Sequence, residues 1–371
     1  MMTTGATSDP AAKVHLRELD HLMLVTVALA CLGLVMAVSV LGSRVGVGPL
    51  MAVQQHSWKL MFGLAAFLVA AAVPMRLLQR AALPLFVVTT VACLLPHLTR
   101  DVKGAHRWIH IGDYQFQPVE PARFFMILAV ALLLGRAGNS VATFRRGFYP
   151  AMGCAALLAG VLLTQPDNGN ALIVLGITSV LALIAGVRML HFAPFALVGA
   201  ALFSLVALQH DYVRSRIDQF LAPAPSSQVG LGLIAVGSGG VAGRGLGQGW
   251  MKMGFVPEAH NDFVFAIIGE EFGFLGSAFV LLSFTAFGWI CWRLALKVRD
   301  PFLRYVVCGY ALMICMQAAA NLLVVSGWAP AKGIDLPFVS TGGTSLMFCF
   351  AAVGLIGNAA RADRSGAFQH G

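Results

Sequence analysis

Asp262, Glu270 and Glu271 fall in one stretch, residues 237–276, which runs from a glycine-rich loop (GSGGVAGRGLGQG) through PEAHNDFVF into an apolar helix. A carboxylate buried in hydrocarbon without a partner is expensive, so acids retained there are candidates for function. Asp262 or Asn261 could cap the first turn of that helix, and Asp262 could equally act as a general base at the membrane surface. Glu270 would lie about 12 Å deeper at the helical rise and demands a cation, for which Arg123 and Lys332 are the candidates. Gly269 falls on the same face as Asp262 and forms a GxxxG pair with Gly273, which predicts close packing against another helix. The preceding glycines could cradle an anion with their backbone amides. Neither a dinucleotide fingerprint nor a Walker A sequence is present, and flexibility alone would also account for them.

Further ionisable residues cluster in three other polar segments. In FQPVEPAR, which also holds Gln117, Glu120 and Arg123 are three residues apart, so they can pair on one helical face, and Pro121 suits a first helical turn. Arg107, Trp108 and Tyr114 lie just upstream, in a composition that also fits an interfacial anchor. TQPDNGN carries Asp167 among ordinary turn formers. WAPAKGIDLPFVSTGGTS carries Lys332 and Asp335, and turn chemistry accounts for most of it but not for Lys332.

What positions these groups is a membrane. The 371 residues are 58% hydrophobic and 11% charged, with a mean hydropathy of +0.80, far from the composition of a soluble domain. The fold class is an all-α integral membrane protein. About ten runs are long enough to cross a bilayer, near 22–42, 57–75, 81–98, 121–137, 149–164, 170–187, 189–208, 263–292, 303–326 and 343–359. They form one polytopic domain over 22–360, between an N-terminal tail (1–21) and a C-terminal tail (361–371). Lysine and arginine crowd the short loops on one side, as at Arg145, Arg146, Arg293 and Lys297. That bias puts both tails in the cytoplasm and the two large loops, 99–120 and 209–261, outside. Within the second, VGLGLIAV is too short to span and suits an interfacial or re-entrant element. The net charge of +9 is scattered between helices, without the basic stripe and interleaved aromatics that nucleic acid would require. All seven cysteines lie in apolar runs without ligand spacing and read as core residues, so no metal site is expected of them.

In KGAHRWIHIG, FQPVEPAR, QPDNG, the GSGG to GLGQG loop, PEAHNDFVFAIIGEEFGFLG and KGIDLPFVSTGGTSL, taken in that order, the chain resembles the SEDS (shape, elongation, division and sporulation) glycosyltransferases. These polymerise peptidoglycan strands from lipid II. PEAHNDFVFAIIGEE and PAKGIDLPF look more like the division subfamily, FtsW, than the elongation subfamily, RodA. The resemblance implies that Asp262 matches the family's essential aspartate, and that Glu120 and Arg123 match its conserved Glu and Lys. It departs from the pattern at Arg123 (usually Lys), Val119 (Ser), Asn170 (Thr), Asn261 (Thr) and Thr341 (Tyr). Arginine and lysine differ in pairing geometry, so the contact to Glu120 is expected to be re-formed in a different way.

Lipid II joins a sugar diphosphate to a polyprenyl tail, so the resemblance implies an apolar groove and cations at its mouth. Arg107, Arg216 and Lys332 are the candidates for the diphosphate, with His260 and Gln117 beside them and Asp262 as the base. A divalent ion such as magnesium is compatible with this chemistry but required by no ligand cluster. A helix N-terminus, which lowers the pKa of an Asp, would suit Asp262 to holding a metal or orienting the acceptor instead. The implied partners are a class B penicillin-binding transpeptidase and other division membrane proteins. A flippase for the lipid-linked precursor is the competing reading, because buried acids also suit a translocation path. It would favour inverted repeats, and no corresponding pair of interrupted spans stands in the two halves.

Overall fold

A computed structural model describes residues 10–43, 48–98, 107–112, 114–197, 199, 220–222 and 224–364. Its principal helices, in chain order, are α1 (Pro10–Leu41), α2 (Pro49–Ala72), α3 (Met75–Ala92), α4 (Val119–Ala137), α5 (Tyr149–Thr164), α6 (Asn168–Ala185), α7 (Gln228–Ser238), α8 (Val264–Lys297), α9 (Pro301–Val325) and α10 (Gly343–Arg364). Hydrocarbon offers backbone groups no partner, and an apolar chain answers by closing its hydrogen bonds within helices. Prolines stand in the first turns of α2, α5 and α9, where the missing N–H costs nothing, and the Asp167, Ser227 and Asp300 side chains cap α6, α7 and α9.

Among the described residues, eight helices are long and apolar enough to cross a membrane. α2 covers the expected second span without being one of the eight, and half of the expected seventh span lies outside the described residues. The protein is a multi-pass membrane protein. α10 packs along α2, α3 against α4, α5 against α6, and α8 against both α1 and α9. α4 and α10 are the most enclosed, so the charges at the start of α4 are held inside protein rather than facing lipid.

The two ends of the bundle differ. At one end Glu18 on α1 accepts from Arg293 (2.9 Å) and Lys297 (3.0 Å) on α8, and the Asp363 carboxylate accepts from the backbone amides of Arg299 and Asp300. The other, the loop end, collects the polar motifs. There Ile109–Ile111 and Tyr114–Phe116 pair as antiparallel strands, with Ile109 opposite Phe116 and Ile111 opposite Tyr114, where an interfacial anchor was one expectation. The loop after α9 is threaded inward: a side chain at Gly33 on α1 would collide with the Phe338 carbonyl.

The largest departure from the sequence reading is in α8. It starts at Val264 with Phe263 at the cap position and no side-chain cap bond, so neither Asn261 nor Asp262 caps it. It is also broken at Gly273, whose φ of 64° and ψ of −153° only glycine adopts readily. The glycine-rich loop fills the break. Arg244 N and Gly245 N donate to the Glu270 and Glu271 carbonyls at 3.0 Å, and Phe274 N donates back to Gly240 O at 2.9 Å. Gly239 and Gly243 lie directly against that backbone, where a Cβ would collide. The Arg244 and Gly245 amides are therefore spent on the broken helix and are not available to an anion. Nor do Gly269 and Gly273 share one helix–helix face: Gly269 meets Val236 of α7, and Gly273 meets the loop.

The buried acids hold the same junction together, with partners that differ from the expected ones. Glu271 accepts from Lys252 Nζ (2.6 Å) and from Ser39 Oγ (2.7 Å), near the end of α1. Glu270 accepts from the amides of Trp250 (2.8 Å) and Met251 (3.2 Å), with Arg244 Nη1 4.0 Å away. Neither Arg123 nor Lys332 is a partner; the chain's return through residues 244–252 supplies the donors, and no spacing within α8 signals that return.

Gly273→Ala tests this reading. The substitution forces a left-handed conformation that costs roughly 1–3 kcal/mol for a side chain and places a methyl about a hydrogen-bond length from the Val241 and Gly240 carbonyls. Thermal unfolding in detergent should shift clearly downward, whereas Gly237→Ala, where an added Cβ meets nothing within 4 Å, should shift it little.

Candidate active site

Four segments converge at the loop end, and each is carried by a different part of the bundle. The start of α4 supplies Glu120 and Arg123. Both are buried, and Arg123 Nη2 donates to Glu120 Oε2 (2.5 Å) and to Gln317 Oε1 of α9 (2.8 Å). Gln317 Nε2 in turn reaches Asp335 O and Ser345 Oγ, both at 3.0 Å. The contact to Glu120 uses one guanidinium nitrogen, and Arg123 Nε has no partner among the described residues. Gln117 stands beside α10 through its backbone, whose amide lies 3.4 Å from Thr344 Oγ1.

The second segment is the turn into α6. Arg107 Nη2 donates to Pro166 O (2.5 Å) and Nη1 lies 4.0 Å from Asp167 Oδ1, while the Asn170 side chain also donates to Asp167 (2.8 Å). The turn is thus more than a connection, since it fixes Arg107 from the first large loop. A Cβ on Gly169 would lie 3.2 Å from Lys332 Cδ, so the lysine stem runs across the start of α6. Arg216, the third candidate cation, lies outside the described residues.

The third and fourth segments, residues 258–263 and 332–342, are stitched to each other. Thr341 donates through N and Oγ1 to His260 O (both 3.1 Å), and through Oγ1 to Asn261 Oδ1 (2.8 Å). Ser340 Oγ donates to Asn261 O (2.6 Å). Asn321 Nδ2, on α9, donates to Asp262 O and Ile334 O, both at 2.7 Å. Glu258 and Phe338 stand on either side of the clasp with positive φ, a costly conformation away from glycine that only a fixed surrounding maintains. The Asp262 carboxylate faces Gly333, where an ideal Cβ would lie 3.0 Å from Oδ2. His260 Nε2 lies 3.2 Å from Asn261 Nδ2 and 3.8 Å from Glu258 Oε2.

A line of polar groups therefore runs from Asp262 across Gly333 to Lys332, Gly169, Asp167 and Arg107. A carboxylate at one end and two cations along it can take a proton at one atom and hold an anionic group beside it. Among the described residues no group of three or more His, Cys, Asp or Glu side chains comes together as a metal site.

Several participants carried no clear signal in the sequence. Lys59 on α2 counts in the sequence only as one of the few basic residues of the short outer loops, yet its Nζ donates to Thr341 O (2.6 Å). A lysine inside an apolar run was the available clue. Gln317 and Asn321, one turn apart in an apolar span, offered a similar one. Asp335 lies against Gly342, in the loop outside the spans. Burial, and then the Glu120 carboxylate, push its pKa up to about 7 against the pull of Lys59 and Arg123. Because the folded state holds that proton where the unfolded chain has released it, this group's contribution to stability falls as pH rises from about 4 through 7. Asp335→Asn should therefore gain thermal stability relative to the parent between pH 5 and pH 8; an unchanged difference over that range would remove Asp335 as the titrating group.

Residues 20–365 match the model of the cell cycle protein family that groups FtsW, RodA and SpoVE. The chain is 33% identical over 361 residues to a probable peptidoglycan glycosyltransferase FtsW of Geobacter metallireducens, covering 93% of this chain and 96% of that one. It is 36% identical over 279 residues to stage V sporulation protein E of Bacillus subtilis, covering 74% and 76%. Among solved structures, a chain of a peptidoglycan synthase complex is 28% identical with a TM-score of 0.77, over 92% of this chain and 97% of that chain. The rod shape determining protein RodA of Thermus thermophilus is 27% identical with a TM-score of 0.67, over 92% and 96%. The stitched loops, the broken helix and the converging polar groups thus sit in a chain that belongs to the FtsW/RodA/SpoVE family.

Proposed function

We propose that the protein is a peptidoglycan glycosyltransferase that polymerises lipid II during cell division, with Asp262 as general base. The observation that carries this reading is the line from the Asp262 carboxylate to Lys332 and Arg107, in a chain whose full-length relatives include proteins named as such enzymes. The acceptor sugar's hydroxyl oxygen attacks the donor's anomeric carbon, and its proton passes to the Asp262 carboxylate. The new C–O bond forms as the bond from that carbon to the diphosphate oxygen breaks, and the diphosphate leaves with the electron pair. Lys332 and Arg107 stabilise the charge it gains, and Asp167 holds Arg107 in place. His260 helps shape the floor on which the acceptor lies. A divalent ion such as magnesium would arrive on the diphosphate itself.

The reading places the loop end outside the cytoplasmic membrane, where a class B penicillin-binding transpeptidase would crosslink the emerging strand; the solved relative comes from a complex that couples polymerisation to crosslinking. Purified protein in detergent should convert lipid II to glycan polymer, more so with the transpeptidase present, and lipid II left unchanged in both conditions would overturn the reading. Ser226 is exposed in the second large loop, just before α7, so Ser226→Cys should react with an impermeant thiol reagent in intact cells. Labelling of Arg145→Cys instead would invert the topology.

A further inference from the structure

We propose that Lys59 is a positioning residue for Asp262, acting from α2 through the backbone of Thr341; the inference rests on the catalytic reading of Asp262. The ammonium is half-buried, and its bond goes to a loop carbonyl, Thr341 O, at 2.6 Å. The stem passes beside Gly343, the first residue of α10, where an ideal Cβ would stand 3.8 Å from Lys59 Cγ and Cδ, an ordinary packing distance.

From Thr341 the link to the carboxylate is short. Its Oγ1 holds the Asn261 side chain and its N–H holds His260 O, so the two residues before Asp262 are fixed by the residue that Lys59 fixes. Asn321 fixes Asp262 O from α9, on the other side. The catalytic segment is thus clamped between α9 and a loop tied to α2. A lysine stranded in an apolar helix is costly, and a carbonyl could be satisfied more cheaply by a serine of the loop itself. What the lysine adds is a tie between helix and loop, through a charge-assisted bond that is stronger than a neutral one. Asp335 sits within electrostatic reach of the ammonium.

Displacement of a reacting group by about 1 Å can cost on the order of a hundredfold in rate. Lys59→Met, which keeps length and apolar stem, should therefore lower kcat for lipid II polymerisation in detergent by roughly tenfold to a hundredfold while KM stays within about twofold. Lys59→Arg, which retains a charged donor, should recover most of the loss. In an Asp262→Asn background, Lys59→Met should cause no further loss, because a residue acting only through Asp262 has nothing left to position. Thr341→Val cuts the link to Asn261 but leaves the Lys59 bond in place, and the same kcat-selective fall is expected there. A kcat within about twofold of the parent in whichever of Lys59→Met and Thr341→Val is folded overturns the proposal, as does a fall confined to KM. Asp262→Asn run alongside separates the two readings. Activity surviving in it defeats the catalytic assignment, whereas a dead Asp262→Asn beside a fully active Lys59→Met defeats only the role of Lys59.

Discussion

Asp262→Asn is expected to lower glycan polymerisation from lipid II by about a hundredfold to ten-thousandfold, the range a general base contributes, with the protein still folded. The structure makes this substitution a clean one. Asp262 is not the cap of α8, so no helix start depends on its charge, and the bond from Asn321 goes to its backbone carbonyl, which the amide retains. What changes is the carboxylate facing Gly333, next to Lys332. With the Asn side chain the carboxylate that would take the proton is gone, although Lys332 and Arg107 can still bind diphosphate, so the loss should appear in kcat more than in KM. A flippase would give the opposite pattern, with polymer forming normally from lipid II supplied directly in detergent. Near-normal polymer from folded Asp262→Asn would sink the assignment.

The spans were legible in the sequence because hydrocarbon leaves an apolar chain few alternatives, and the described helices overlap the apolar runs, although α1, α2 and α3 begin 6–12 residues before them. The i, i+3 spacing of Glu120 and Arg123 likewise places them on one face, and they pair. The tertiary partners were not legible. Glu271 meets Lys252 and Ser39, the latter 232 residues away, and no local pattern selects between these and the other cations. The GxxxG pattern at Gly269 and Gly273 was misleading because a motif records the absence of side chains, not the reason for it. One glycine admits a neighbouring helix and the other admits a left-handed break. The same ambiguity hid the use of the glycine loop. Its amides were available to an anion in principle, and only the chain's return onto α8 shows that carbonyls take those of Arg244 and Gly245.

Arg123→Met should be the most destabilising single substitution at the site, because it leaves Glu120 as an uncompensated charge at the start of the most enclosed helix. Breaking a buried pair from one side costs about 3–5 kcal/mol, which should appear as a large fall in membrane abundance and in the unfolding temperature in detergent. Glu120→Gln strands the opposite charge, which Gln317 partly solvates through its Oε1, so its loss should be the smaller of the two. The double replacement Glu120→Leu with Arg123→Met removes both charges, and such exchanges are often neutral, so abundance should recover while activity does not. The two singles should also separate in pH dependence. The Glu120 carboxylate pushes the Asp335 pKa up and the Arg123 guanidinium pulls it down, so Glu120→Gln should move the Asp335 titration below about pH 7 and Arg123→Met should move it above. Shifts of the same sign in both variants would mean that the pair acts on Asp335 through packing, whereas opposite shifts tie Glu120, Arg123 and Asp335 into one electrostatic unit beneath the Asp262 clasp.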